Sequence, residues 1–262
     1  SNNKKIKDFA KKNKIIILED NCEALGAKLN KKYLGTFGDF GTFSFFYSHQ
    51  ITSGEGGMIV CHDRDDYEIL LSLRSHGWSR SNNPKQYLMN AKKYPKIDPR
   101  YIFINQGFNL RPTDVQAAIG YNQFKRLNQF IKMRSENKRK IIESLKNDSR
   151  WKNQFNFVDI PKNIFPSYMG LPIQLNKNMT KKMKMKLLNH LESKGVETRP
   201  ILTGNFLNQP SIKLFGINKK KIKLKGVQEV EDLGFLIGLH TKKITQKHIN
   251  LIKNSLFYIN TL

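Results

Sequence analysis

Three side chains stand where proton chemistry is possible. Asp20 closes the apolar run "IIIL" at 15–18 after one intervening glutamate, and Ser44 and His49 open the stretch "SFFYSHQITSGEGGMIV" at 44–60. An imidazole exchanges protons near neutral pH, with an unperturbed pKa of about 6.5. A carboxylate at the end of a buried strand can keep a proton on the ring nitrogen of a heterocyclic cofactor, which makes that ring a better electron sink. Taken alone, Asp20 reads as well as a strand-end acid or helix N-cap, and His49 as a neutral structural histidine. Gly54, Gly56 and Gly57 read as a tight turn, where glycine adopts positive φ at little cost.

The elements around these residues follow the grammar of an α/β protein. "NKKIKDFAKKNK" places Ile6, Phe9 and Ala10 at helical spacing, and "KIIILEDN" then predicts a buried strand that ends in acids. Ligands of such sheets gather outside the carboxyl ends of the strands. "GTFSFF" at 41–46 and "GMIVCH" at 57–62 predict two further strands, and 64–77 a helix with Ile69, Leu70 and Leu73 inward. A long helical stretch follows Pro112, with room for a break or bend. After Trp151 the pattern changes to a strand at 167–175, a helix between Thr180 and Gly195, a short extended segment "VETRPIL" and a terminal helix. The run "NKKKIKLKG" at 218–226 reads as a charged loop or edge strand. These patterns predict one domain over 1–150 and a smaller α/β domain over 151–262. The chain opens in a helix just before a core strand, with fewer strands than an open parallel sheet needs. The expectation is a fragment that lacks an N-terminal part and exposes a sheet edge and apolar faces.

Composition narrows the classes. A chain of 262 residues can bury a substantial core. No apolar run approaches the ~20 residues of a membrane span, and no secretory leader is visible. Cys22 and Cys61 make neither a disulfide framework nor a four-ligand metal site, so the expected compartment is the cytoplasm. The formal charge is +25, but the lysines are scattered through every segment. Without zinc-finger spacing or an RNA-binding aromatic signature, the charge does not argue for nucleic acid. Isoleucine, asparagine and lysine are all abundant, as AT-rich coding would produce.

Over residues 19–57 the ordered blocks "EDNCEALG", "GTFGD", "SFFYSH" and "GEGG" resemble the signature of the DegT/DnrJ/EryC1/StrS sugar aminotransferases, a family of pyridoxal-phosphate enzymes. "QGFNLRPTDVQAAIGYNQFKRL" at 106–127 and "GVETRPILTGNFLNQP" at 195–210 are similar to two later family blocks. The resemblance implies a fold type I, aspartate-aminotransferase-like architecture. The chain would hold the C-terminal part of the large cofactor-binding domain and a small C-terminal domain. Asp20 would pair with the pyridine nitrogen, Ser44 with the cofactor phosphate, and Asn109 with the phosphate in a neighbouring subunit of a homodimer. Arg199 and Asn205 would face a nucleotide-linked sugar. Arg111 and Arg74 are further candidates for its phosphates.

Two positions depart from the family pattern. His49 stands where the family has its cofactor-anchoring lysine, and Glu23 where it has glutamine. Imidazole has no primary amine, so the implied cofactor is pyridoxamine phosphate held without a covalent bond. This pattern is similar to a histidine-bearing subset, the 3-dehydratases of nucleotide-linked 4-keto-6-deoxyhexoses of the colitose (GDP-sugar) and ascarylose (CDP-sugar) routes. The implied reaction is hydro-lyase chemistry in deoxysugar and surface-polysaccharide synthesis. The cofactor amine meets the C4 ketone, His49 takes a proton from cofactor C4′, and the C3 hydroxyl leaves. Glu23 would adjust the ring oxygen or the protonation of His49. Two distant cysteines argue against the iron–sulfur centre of the CDP-type enzymes. Glutamate is then the implied amino donor. The alternatives are a nucleotide-sugar 4-aminotransferase with another base, or an inactive cofactor-binding paralogue.

Overall fold

The structure is a computed structural model that describes residues 2–218 and 222–262. Part of the lysine-rich run, 219–221, lies outside the described residues. In chain order the elements are α1 (Asn2–Asn13), β1 (Leu18–Asp20), β2 (Lys28–Leu29), β3 (Lys32–Tyr33), β4 (Phe40–Ser44), β5 (Gly57–Cys61), α2 (Arg64–Arg74), α3 (Pro84–Lys93), α4 (Asp114–Phe124), α5 (Leu127–Lys146), β6 (Phe155–Asn156), β7 (Ile164–Phe165), β8 (Gly170–Leu175), α6 (Lys181–Ser193), β9 (Thr198–Arg199), α7 (Lys225–Leu233), β10 (Gly234–Gly238) and α8 (Gln246–Leu256). They fall into two units, Ser1–Leu127 with Asn163–Ser167, and Asn128–Lys162 with Tyr168–Leu262.

The first unit holds a sheet of order β1-β4-β5 and a small sheet of order β3-β2-β7. β1 and β4 run parallel, with Asp20 opposite Thr42, and β4 and β5 run antiparallel, with Ser44 opposite Gly57. The carboxyl ends of β1 and β4 therefore lie at one end of the sheet, and Asp20 and Ser44 are their last residues. The apolar run before Asp20 is a correction to the sequence reading. Ile16, which precedes β1, is 71% exposed and Leu18 63%; β1 is the edge strand of this sheet, and described residues pair with it on one side alone.

Local chemistry explains where the helices begin. Asp63 caps α2 by accepting from Asp65 and Asp66 N–H, and Thr113 and Thr245 form capping boxes at α4 and α8. The long helical stretch breaks between α4 and α5 at 125–126. The α2 face differs from its apolar periodicity. Ile69 is exposed, Leu70 and Leu73 are half-buried, and the buried positions are Glu68 and Ser72. Polar partners explain this: Ser72 Oγ accepts from Asn105 Nδ2 at 2.7 Å, and Glu68 Oε2 accepts from Asn82 Nδ2 at 3.1 Å and Asn83 N–H at 3.0 Å.

Burial works to raise the Glu68 carboxyl, but the Asn83 and Asn82 hydrogen bonds and the nearby Arg64 outweigh it and lower the pKa from 4.5 to about 2. The folded value lies below the unfolded one. Its stabilisation is therefore full above pH 4.5 and is lost as pH falls towards about 2. In the Glu68→Gln variant the fall of the thermal midpoint across that window should flatten relative to wild type. An unchanged slope would show that Glu68 does not govern acid sensitivity.

The second unit is built on an antiparallel sheet of order β6-β8-β10-β9. Its core joins Leu171, Ile173 and Leu175 of β8 and Phe235 and Ile237 of β10 to Leu187 and Leu191 of α6, Leu256 of α8, and Ile141 and Leu145 of α5. The expected boundary at 151 thus falls inside this unit, because α5 contributes to its core. Thr180 caps α6 through Met183 N–H, and Gly195 follows its end at φ +78°. Lys184 is buried and donates to the carbonyls of Glu231 and Gly234 at the α7–β10 junction.

Candidate active site

The "ED" pair after the apolar run divides two tasks. Glu19 accepts from the backbone N–H of Gly35 at 2.9 Å and of Phe37 and Gly38 at 2.5 Å each, so it holds the loop before β4. Asp39 closes the same loop by accepting from Ile17 N–H at 2.7 Å. A side chain at Gly41 has no room, since its Cβ would sit 2.1 Å from the Gly35 carbonyl oxygen. The spacing of "LED" and "GTFGDFG" is thus a device for fixing the parallel register of β1 and β4.

That register presents Asp20. Its Oδ1 accepts from Cys22 N–H at 3.1 Å and from Thr42 Oγ1 at 3.4 Å. Hydrogen bonds from the Cys22 thiol and backbone hold the Asp20 carboxyl below its ordinary value, and the same contact together with burial pushes the Cys22 thiol up. Cys22 is half-buried. The Asp20 carboxylate is exposed and ionised at neutral pH, which suits a cationic ring nitrogen. Glu23, three residues on, is exposed.

Ser44 accepts from Phe46 N–H at 3.2 Å, which leaves its hydroxyl proton available to an anion. His49 follows in a turn closed by its own N–H on the Phe46 carbonyl at 3.1 Å, and its ring meets the Phe46 ring edge-on at 5.5 Å. The loop folds back onto β4: Ser53 N–H donates to Phe45 O, and Phe45 N–H to Gly56 O. Gly54 turns it at φ +84°. His49 Nδ1 is buried and has no hydrogen-bond partner among the described residues. Gln50 beside it is 1% exposed and donates to the Glu23 and Ser167 carbonyls.

A second group forms where 105–110 runs against the end of α2. Ser75 and Asn109 are bridged, His76 N–H donates to Phe108 O at 2.7 Å, and Leu110 N–H to Arg74 O at 2.9 Å. Arg111 reaches Asn109 Oδ1 at 3.3 Å and His76 Nε2 at 3.4 Å. Trp78 carries the Arg80 guanidinium over its ring at 3.6 Å and the Arg111 guanidinium at 5.4 Å. The structure therefore joins Asn109 and Arg111 in one cationic, aromatic cluster that also holds His76. Arg74 meets it through its backbone.

Arg199 and Asn205 belong to the second unit. Arg199 is exposed on β9 and pairs with Glu197. Asn205 is 7% exposed, and both of its side-chain polar atoms are engaged: Oδ1 accepts from Leu207 N–H at 3.1 Å and Nδ2 donates to Gln228 at 3.0 Å. Its backbone N–H donates to Glu231, which also accepts from Asn208. Asn205 shapes this loop from within. Sequence reading passed over Glu19 and Gln50, because hydrophobic patterning does not reveal which polar side chains will be spent on backbone groups.

The profile of the DegT/DnrJ/EryC1/StrS aminotransferase family matches residues 2–230. The chain belongs to this family. Among family relatives, GDP-4-keto-6-deoxy-D-mannose 3-dehydratase of Escherichia coli O55:H7 is 34% identical over 227 residues, which are 86% of this chain and 56% of that protein. The chain thus spans just over half the length of this curated relative. The solved E. coli GDP-4-keto-6-deoxy-D-mannose-3-dehydratase with bound hydrated PLP aligns at a TM-score of 0.81 and 31% identity, over 98% of this chain and 64% of that one. A structure of GDP-4-keto-6-deoxymannose-3-dehydratase with a trapped PLP-glutamate geminal diamine gives 0.77 and 31%, again over 98% and 64%. The fold is accordingly the α/β aminotransferase-like fold of this family.

Proposed function

We propose that this chain is part of a hydro-lyase that removes the C3 hydroxyl of a nucleotide-activated 4-keto-6-deoxyhexose, with His49 as its base. The observation that carries the reading is a histidine, where the resemblance places the family's lysine, whose buried Nδ1 finds no partner among the described residues. The named activities and ligands of the matched dehydratases support it.

The residues present suit a pyridoxal- or pyridoxamine-phosphate cofactor held without a covalent bond. Ionised Asp20 would hold a proton on the pyridine nitrogen, and the Ser44 hydroxyl would donate to the phosphate. When bound, such a cofactor supplies an amine for the ketone and a ring that accepts electrons. His49 would take a proton at C4′, where a family lysine would also return one to the sugar. Glu23 would adjust the ring oxygen or the protonation of His49. Asn109 and Arg111 would bind phosphate, Asn109 that of a neighbouring subunit in a homodimer. Arg74 and Arg199 would face the nucleotide sugar, with Asn205 holding the loop beside Arg199. Glutamate serves as amino donor, and the cytoplasm is the proposed compartment. Among the described residues no helix is long and apolar enough to cross a membrane.

The test is a product mass. Incubated with pyridoxamine phosphate, glutamate and GDP-4-keto-6-deoxymannose, the protein should yield a sugar that has lost one oxygen and kept its ketone. Replacement of the ketone by an amine would mean transamination. No change with either the GDP or the CDP sugar would mean an inactive site.

A further inference from the structure

We infer that Gln50 is the positioning residue that locks the His49 loop to the Asp20 turn. This rests on the reading of His49 as base. The Gln50 side chain is buried at 1% exposure, directly after His49. A primary amide nitrogen carries two protons, and here both go to backbone carbonyls: Nε2 lies 2.5 Å from Glu23 O and 3.3 Å from Ser167 O.

The first carbonyl belongs to the turn that presents Asp20. That turn is closed by Cys22 N–H on Asp20 Oδ1 at 3.1 Å and by Ala24 N–H on Asn21 O at 3.0 Å. The second ends the segment that carries β7, which pairs with β2. Gln50 therefore joins three stretches that are remote in sequence: the turn after β1, the loop after β4, and the segment after β7. Among the described residues, His49 itself has one backbone tie, its N–H on the turn carbonyl of Phe46. Without the amide, the loop keeps that turn but loses its anchor to the acid. Both the direction of the imidazole and the backbone under Glu23 would then loosen. A misplacement of about 1 Å in a proton-transferring group costs up to about 100-fold in rate.

Gln50→Met is close in length and volume but has no donor. The expected result is a fall in kcat of about 30-fold, within the range that misplacement produces, with KM for the sugar nucleotide and pyridoxamine-phosphate affinity little changed. The pH profile of kcat should also change, because a loosened loop alters what surrounds the proposed base. Independently of turnover, the His49 ring signals in a histidine-labelled ¹H–¹⁵N spectrum should move or broaden, while His190 and His248 stay fixed. Gln50→Asn keeps the amide but reaches only one carbonyl, and it should lie between wild type and Met; it also serves if the Met variant does not fold. Unchanged kcat, pH profile and His49 signals would overturn the proposal, and so would a loss confined to the thermal midpoint. If wild-type protein turns over no sugar nucleotide, the reading of the function fails, and the His49 spectrum still judges Gln50.

Discussion

His49→Asn should lose turnover by about a thousandfold, the scale of a missing general base, while the protein remains folded. Asparagine can occupy the turn and still offers a polar atom near the buried Nδ1 position, but it cannot accept a proton near neutral pH. The edge contact with Phe46 is worth about 1 kcal/mol, so the thermal midpoint should move little. If the base acts only in the transition state, kcat and kcat/KM should fall together. His49→Lys is the informative companion. Borohydride in the presence of pyridoxal phosphate should label the lysine variant at residue 49 and leave wild type unlabelled. The lysine variant should also shift product from the deoxygenated ketone towards the amine. A His49→Asn variant with kcat within a few fold of wild type would remove the histidine from the chemistry.

Phe235→Ala should cost about 3–5 kcal/mol, the range for emptying a buried aromatic site. Phe235 is fully buried in β10, which is flanked by β8 and β9, so strand pairing on both sides resists collapse into the space left behind. Set against a usual stability of about 5–15 kcal/mol, the loss would take a large share of the margin. Because the chain has two units, the denaturant curve should be followed by a probe of each. Trp151 packs on the second unit's core and Trp78 lies in the first. The Trp151 transition should move to lower denaturant before that of Trp78. A change below about 1 kcal/mol would mean that the core refills the site.

What the sequence made legible was local. Thr180 announces its helix because a cap bonds within its own turn, as Thr113 and Thr245 also do in the structure, and β4 and β5 read correctly because their glycines and β-formers lie side by side. The blocks around Asp20, Ser44 and His49 could be placed by their order and spacing. Three features were out of reach. Ile69 counts as inward in any apolar pattern, yet α2 buries Glu68 and Ser72, whose partners Asn82, Asn83 and Asn105 lie in later segments. The run at 15–18 is as apolar as any core strand, but its exposure depends on what lies beside it and not on its composition. Gln50 and Glu19 look like surface residues until the carbonyls and N–H groups they satisfy are brought in from as far as Ser167. In each case the missing information was non-local: the partner of a polar group, or what lies beside an apolar strand.

The division of the chain also bears on the order in which it is made. The first unit is discontinuous: β2 takes Lys32–Tyr33 on one side and Ile164–Phe165 on the other, with 128–162 assigned elsewhere in between. A ribosome delivers the His49 loop more than a hundred residues before Ser167, the second carbonyl that anchors Gln50. During synthesis, at about 5–20 residues per second, the proposed catalytic loop therefore waits several seconds in an unfinished setting. Release of residue 167 is the moment at which it can close, and a nascent chain stalled before that point should leave 44–57 open to proteases.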